Sequence, residues 1–158
     1  PALRVPESLF RCEALEVLQL KSGQIEHLSS GIGRLRRLRG LGLAHNQLTE
    51  LPRELSELSE LTHLDVSNNR LTDIGTVDFG RLPLLGSLDV SGNQLRRLAQ
   101  SLERCPPSQF AVLAFHTNPI DTMPEWLTRQ ERLRSLDIRQ TAIKEPPHGL
   151  RPDVVVYA

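Results

Sequence analysis

The chain has 158 residues, in which 19 Lys and Arg balance 19 Asp and Glu. That length suits one domain able to bury a continuous core without disulfides or metals, and the even charge leaves no clustered positive excess for phosphate or anionic lipid, so neither nucleic acid nor a membrane is expected as a partner. At 39% hydrophobic and 24% charged residues the composition excludes disordered and collagen-like chains, and no apolar run approaches the roughly 20 residues of a membrane helix. Leucine supplies 29 residues against four Phe, one Trp, one Tyr and one Met. A core built from one side-chain shape points to internal repetition.

Taken in order, Val5-Pro6-Glu7-Ser8-Leu9 reads as the back half of a partial repeat covering 1–14, so the segment is expected to begin inside a repeat and to be a fragment of a longer polypeptide. Six segments follow, starting near 15, 38, 61, 85, 110 and 133, with apolar residues at relative positions 1, 4, 6 and 11 and a polar residue at 9. The second runs Leu38, Leu41, Leu43, Asn46, Leu48, and the third Leu61, Leu64, Val66, Asn69, Leu71. Asn93 and Asn118 hold position 9 in the fourth and fifth segments, while Gly23 and Thr141 replace Asn in the first and last. Extra residues fall in 75–80 and 105–109, both turn-like in composition. The β-branched run at 153–157 reads as a capping strand over the open edge, which closes a single domain spanning 1–158.

Positions 3 to 7 alternate exposed and apolar, the period of a strand buried on one face. Apolar positions 11, 14, 18 and 21 lie three or four apart, as in a short helix or turn packing behind the strand. No segment can bury its own apolar face, so each closes on its neighbours. The Asn column at 46, 69, 93 and 118 sits where the chain leaves the strand, and a short amide there can satisfy backbone groups inside the stack.

The L-x-x-L-x-L-x-x-N-x-L pattern, exemplified by Leu38 to Leu48, resembles that of leucine-rich repeat proteins, and it covers essentially the whole chain. The second half Leu51-Pro52-Arg53-Glu54-Leu55 is similar to the class of about 23 residues found in intracellular and bacterial effector proteins. The resemblance implies an α/β solenoid: a right-handed superhelix with parallel strands on the concave face and short helices or turns on the convex one. It also implies a protein-interaction module, the substrate-recognition arm of a bacterial effector or signalling protein, acting in the cytoplasm or delivered into a host cell.

Cys12 and Cys105 both fall at position 21, four repeats apart, so about 19 Å separates them, far beyond disulfide reach. Each is expected to be a small buried hydrophobe; the resemblance implies disulfide-bonded end caps in secreted members, which these two cysteines cannot form, so a reducing or intracellular setting is expected. The chain contains no Gly-rich phosphate loop, Gly-x-Ser-x-Gly elbow, His-Glu-x-x-His or Cys-x-x-Cys, so no enzyme is expected within these residues, any catalytic domain lying outside them, and no cofactor or metal is expected. His45, His63 and Asp65 on neighbouring strands could converge as a metal or acid/base site, but ordinary exposed polar residues are the favoured reading. Arg34, Arg36, Arg37 and Arg39 are read as a solvated loop, with an acidic partner as the alternative.

Function is therefore sought on the concave floor, among residues between the buried leucines. Position 5 reads Gln19, Gly42, Asp65, Asp89, Ala114, Asp137; position 7 reads Lys21, Ala44, Ser67, Ser91, His116, Arg139; position 8 reads Ser22, His45, Asn68, Gly92, Thr117, Gln140. The floor is small and polar, with a central acidic stripe and a basic end at Arg134 and Arg139. It has no aromatic anchor, and Trp126 is expected to be partly exposed on the back. The predicted binding face comprises His45, His63, Asp65, Asn68, Asp89, His116, Asp137 and Arg139. It is expected to receive a basic protein partner on a monomeric chain. The alternative is a structural spacer or self-association element with no specific ligand, which the low aromatic content favours.

Overall fold

The computed structural model describes residues 3–21, 23–145 and 147–158; Ser22, first of the position 8 column, lies outside them. The described residues form nine short strands: β1 Leu3–Arg4, β2 Val17–Gln19, β3 Ile25–His27, β4 Gly40–Gly42, β5 His63–Asp65, β6 Ser87–Asp89, β7 Val112–Ala114, β8 Ser135–Asp137 and β9 Val155–Tyr157. Between them lie six 3₁₀ turns: η1 Glu7–Arg11, η2 Ser30–Arg34, η3 Arg53–Glu57, η4 Phe79–Arg81, η5 Gln100–Arg104 and η6 Glu125–Arg129. With at most five residues each, these turns are the length at which the tighter helix is used, and no α-helix occurs among the described residues. Pro52 and Pro124 start η3 and η6 with φ near the value their rings fix (−69° and −66°), while Ser29 and Asp78 accept from Gly31 N and Gly80 N to cap η2 and η4.

Strands β2, β4, β5, β6 and β7 build a five-stranded parallel sheet in that order. Its register stacks Leu18, Leu41, Leu64, Leu88 and Leu113 in one column, so every position 4 side chain faces the same core. Backbone bonds continue beyond the strands, with His45 N donating to Ser67 O (3.0 Å) and Asn68 N to Ser91 O (2.9 Å), so the extended pairing reaches position 8. β1 pairs with β3 and β8 with β9, both in parallel, and neither pair joins the central sheet.

The core is one continuous cluster from Val5 to Ile138, with Phe10, Phe79, Phe110 and Phe115 among its fully buried members. Close packing at its N-terminal end requires Gly31, where a Cβ would stand 2.6 Å from the Phe10 ring. Inside the stack, Asn69 donates Nδ2 to Val66 O (3.0 Å) in its own repeat and to Leu43 O (2.9 Å) in the repeat before, while its Oδ1 accepts from Leu48 N (3.0 Å). Asn46, Asn93 and Asn118 make the equivalent bonds, including Asn46 Oδ1 accepting from Ile25 N and Asn118 Oδ1 from Leu95 N.

Two expectations are corrected. Cys105 is buried but Cys12 is exposed, because Cys12 ends η1 with a neighbouring repeat on one side only; both thiols are free. Trp126 is 4% exposed, since it lies within η6 against the core rather than over it. Its neighbour Gln130, at a position that the other repeats fill with leucine or cysteine, is also buried, with Oε1 unpaired.

Candidate partner-binding face

The concave floor is the solvent side of the strands, and parallel in-register pairing converts each sequence position into a row of adjacent side chains. Asp65 on β5 and Asp89 on β6 are direct register partners, preceded in their row by Gly42 and followed by Ala114. Each half-buried carboxylate is anchored by its own repeat: Asp65 Oδ1 accepts from Ser67 N (3.0 Å) and Ser67 Oγ (2.6 Å), and Asp89 Oδ1 accepts from Ser91 N and Ser91 Oγ at the same distances. Position 7 serine thus ties down one oxygen of each carboxylate. No ion pair to either carboxylate occurs among the described residues. Like charges side by side on adjacent strands oppose folding, so the fold itself gains nothing from this juxtaposition.

Asp137 differs. Arg139 donates Nε to its Oδ1 (3.0 Å), Nη2 to its Oδ2 (2.8 Å) and its backbone amide to Oδ1 (3.0 Å), a two-pronged guanidinium pairing. The Arg139 hydrogen bond holds the Asp137 carboxyl below its ordinary range, helped by the charge of His116 and opposed by partial burial. His116 Nε2 stands 4.0 Å from Asp137 Oδ2. Arg134 is likewise paired, with Asp153 at 3.5 Å. The stripe expected at the centre is therefore an unneutralised pair, Asp65 and Asp89, plus a third member satisfied internally, and the expected basic end is neutralised.

The floor also holds an aromatic side chain that sequence reasoning missed. Tyr157 on β9 is 47% exposed, and the Arg139 guanidinium lies 5.3 Å from its ring centroid, a cation–π contact. Val112 on β7 and Val155 on β9 are exposed by about half, on the same side. The β-branched run Val154-Val155-Val156 before Tyr157 carried the signal, because β9 pairs with β8 in the register of a further repeat and puts Val155 at position 3 and Tyr157 at position 5.

Of the remaining predicted residues, His63 is exposed on β5 with Nδ1 2.8 Å from Thr62 Oγ1. His45 and Asn68 lie off the floor, at the sheet margin, in the left-handed turn that every described position 8 residue adopts (φ 58° and 56°). Thr117 takes the same conformation at φ 56°, unfavourable for a β-branched residue, and is held by its hydroxyl donating to Gln140 Oε1 (2.9 Å). Among the described residues no three His, Cys, Asp or Glu side chains are grouped to hold a metal ion, so His45, His63 and Asp65 do not converge. Arg36 and Arg39 meet Glu57 (3.5 Å) and Glu16 (3.6 Å) as exposed surface pairs. No helix among the described residues is long and apolar enough to cross a membrane.

Residues 36–95 match the family model for the leucine rich repeat, and these are the residues that contribute β4, β5, β6 and the acidic pair. These residues carry the leucine-rich repeat, and the chain as a whole has the leucine-rich repeat solenoid fold. Similar solved structures include an internalin from Listeria monocytogenes (22% identity, TM-score 0.74, covering 88% of this chain and 39% of that one). The leucine-rich repeat ectodomain of a plant membrane receptor kinase from Arabidopsis thaliana, solved in complex with Casparian strip integrity factor 2, is 29% identical (TM-score 0.73, 89% and 17%). The Toll–Spatzle complex of Drosophila matches with a TM-score of 0.78 at 22% identity (89% and 20%). The repeat protein therefore spans well under half the length of each of these chains. No curated protein matches it in sequence.

Proposed function

We propose that this leucine-rich repeat segment binds a protein or peptide on its concave floor, with basic groups of the partner meeting Asp65 and Asp89. The observation that carries the reading is the contrast within one row: Asp137 is neutralised by Arg139, whereas Asp65 and Asp89 face one another's charge with no cation. A partner's guanidinium or ammonium removes that repulsion on binding, and Gly42 and Ala114 beside the pair leave room for a long side chain. Tyr157 with its stacked Arg139 supplies the residue types that dominate binding energetics. The plant and insect neighbours, solved with protein or peptide partners, support a binding role. In this reading the segment carries no reaction of its own. We place it in an intracellular or effector protein as the arm that selects a substrate for another domain, on the strength of the Leu-Pro-x-x-Leu second half.

The test is to pan a displayed random peptide library against the immobilised chain and remeasure affinity on variants. Asp65→Asn with Asp89→Asn removes charge while keeping the Oδ1 acceptor for Ser67 and Ser91. It should weaken selected peptides about tenfold, two exposed ion pairs' worth. Glu103→Gln on η5 should leave them unchanged. Selected peptides that are indifferent to the double variant would sink the concave reading.

A further inference from the structure

We infer that the stack is jointed between β7 and β8, so that the last repeat, with Asp137, Arg139 and Tyr157, is a jaw hinged on the five-stranded sheet. At the preceding step, β6 to β7, Ala111 N and Val112 N both donate to Gly86 O (2.9 and 3.1 Å), Val90 N to Ala114 O (2.8 Å) and Gly92 N to His116 O (3.1 Å). At the step to β8 only the last of these has a counterpart, Thr117 N donating to Arg139 O (3.0 Å); the other backbone bonds across the step lie outside the strands, Ala142 N to Ile120 O and Glu131 N to Pro107 O (2.9 Å each). Arg134 N and Ser135 N make no bond to Ala111 O, and Phe115 N makes none to Asp137 O.

Three features coincide with this gap. Thr141 stands where other repeats place Asn, and its hydroxyl donates to Ile138 O (2.6 Å) and accepts from Ile143 N (3.3 Å), both in its own repeat. In the earlier repeats the Asn also bonds its own position 6 carbonyl, but the position 11 amide is served by the Asn of the following repeat. Thr141 therefore closes its own repeat and does not reach back to Ile120 N, as Asn118 reaches Leu95 N. On the back, η1 to η4 each pack on the next turn, whereas η6 stands off from η5 across the expanded turn 105–109, beside the buried, half-satisfied Gln130. The side-chain links that cross are exposed or long: Thr117 with Gln140, His116 with Asp137 at 4.0 Å, Arg132 Nη1 to Gln109 O at 3.4 Å.

The jaw is well knit internally. Ile138 N donates to Tyr157 O (2.8 Å), Val155 N to Arg134 O (3.0 Å), and Arg151 clamps Glu131 O (2.5 Å) and Leu133 O (2.6 Å) through its two terminal nitrogens. Two firm bodies with few bonds between them are the arrangement in which local opening costs least. Exposed Val112 belongs to the fixed body, Val155 and Tyr157 to the jaw, so swinging the jaw brings apolar surface from both sides onto one partner. That second step rests on the concave-face reading; the joint is a property of the free chain.

Amide hydrogen exchange followed by NMR on the free, full chain tests the joint. Phe115, Arg134 and Ser135 amides should exchange roughly 100-fold faster than their bonded counterparts Val66, Val90, Ser87 and Val112, as expected for an opening well below global unfolding. Equal protection in the two sets would overturn it. Thr141→Asn, which restores a side chain able to reach Ile120 N, should slow exchange at Ile120 and Phe115; no change there, in a folded variant, counts equally against the joint. With a library-selected peptide bound, protection should rise at Phe115, Arg134 and Ser135. A peptide that binds without that rise refutes the jaw while leaving concave binding standing, and one that binds elsewhere refutes the concave reading while the free-chain result stands.

Discussion

Asn69 shows how one side chain can hold two repeats. Its amide hydrogens reach Leu43 O and Val66 O and its oxygen takes Leu48 N–H, so three buried backbone groups depend on four side-chain atoms. Asn69→Ala strands the buried Leu48 N–H, at roughly 1–3 kcal/mol, and leaves Leu43 O with its bond from Asn46 Nδ2 (3.1 Å) alone. Urea unfolding should register the loss as a lowered midpoint at unchanged slope. This column was legible in the sequence because a spacing of 23 or so residues puts the same chemistry at the same bend. The surroundings of Cys12, Trp126 and Tyr157 were not, because their burial is decided by whether a neighbouring repeat lies on the next side: Cys12 has one neighbour only, Trp126 is enclosed by its own turn, and Tyr157 lands on the floor through the pairing of β9 with β8.

Among the elements, the strands were readable from alternation and the backs of the repeats from three-and-four spacing, but the choice of 3₁₀ turns over α-helices was not. It follows from how few residues each repeat leaves between position 14 and the next strand. The left-handed residue after each strand was equally hidden, since His45, Asn68, Gly92, Thr117 and Gln140 share no chemistry beyond tolerating it, and Thr117 does so poorly. Within β8 and its turn, Asp137 and Arg139 have a consequence in acid. The Asp137 carboxyl titrates lower in the folded chain than in the unfolded one, because Arg139 bonds its charged form. Its contribution to stability is complete above the unfolded value of about 4 and disappears as pH falls through the lower folded value, a range in which the unfolded state binds more protons. Asp137→Asn should therefore flatten the acid limb of a melting-temperature profile between pH 5 and 2, and an unchanged limb would show that the pairing does not persist in solution.

At the scale of the molecule, a stack stabilised by nearest neighbours either opens locally or comes apart together, and the two thiols report which. Cys105 is buried, and desolvation, with the charge of Asp78, pushes its thiol up to about 11, so it is both covered and protonated at neutral pH. An alkylating reagent should modify Cys12 at once and Cys105 only through unfolding. If Asn69→Ala costs about 2 kcal/mol, Cys105 labelling should accelerate roughly 30-fold; an unchanged Cys105 rate would show that the loss does not reach the shared core. The Asn column has one more implication, for the order in which the stack can form. Every amide reaches toward the N-terminus, so a repeat emerging from the ribosome stays incompletely bonded until its successor has been made, and folding must trail synthesis by about one repeat. Thr141 departs from that dependence, because its hydroxyl serves Ile138 O and Ile143 N within its own repeat.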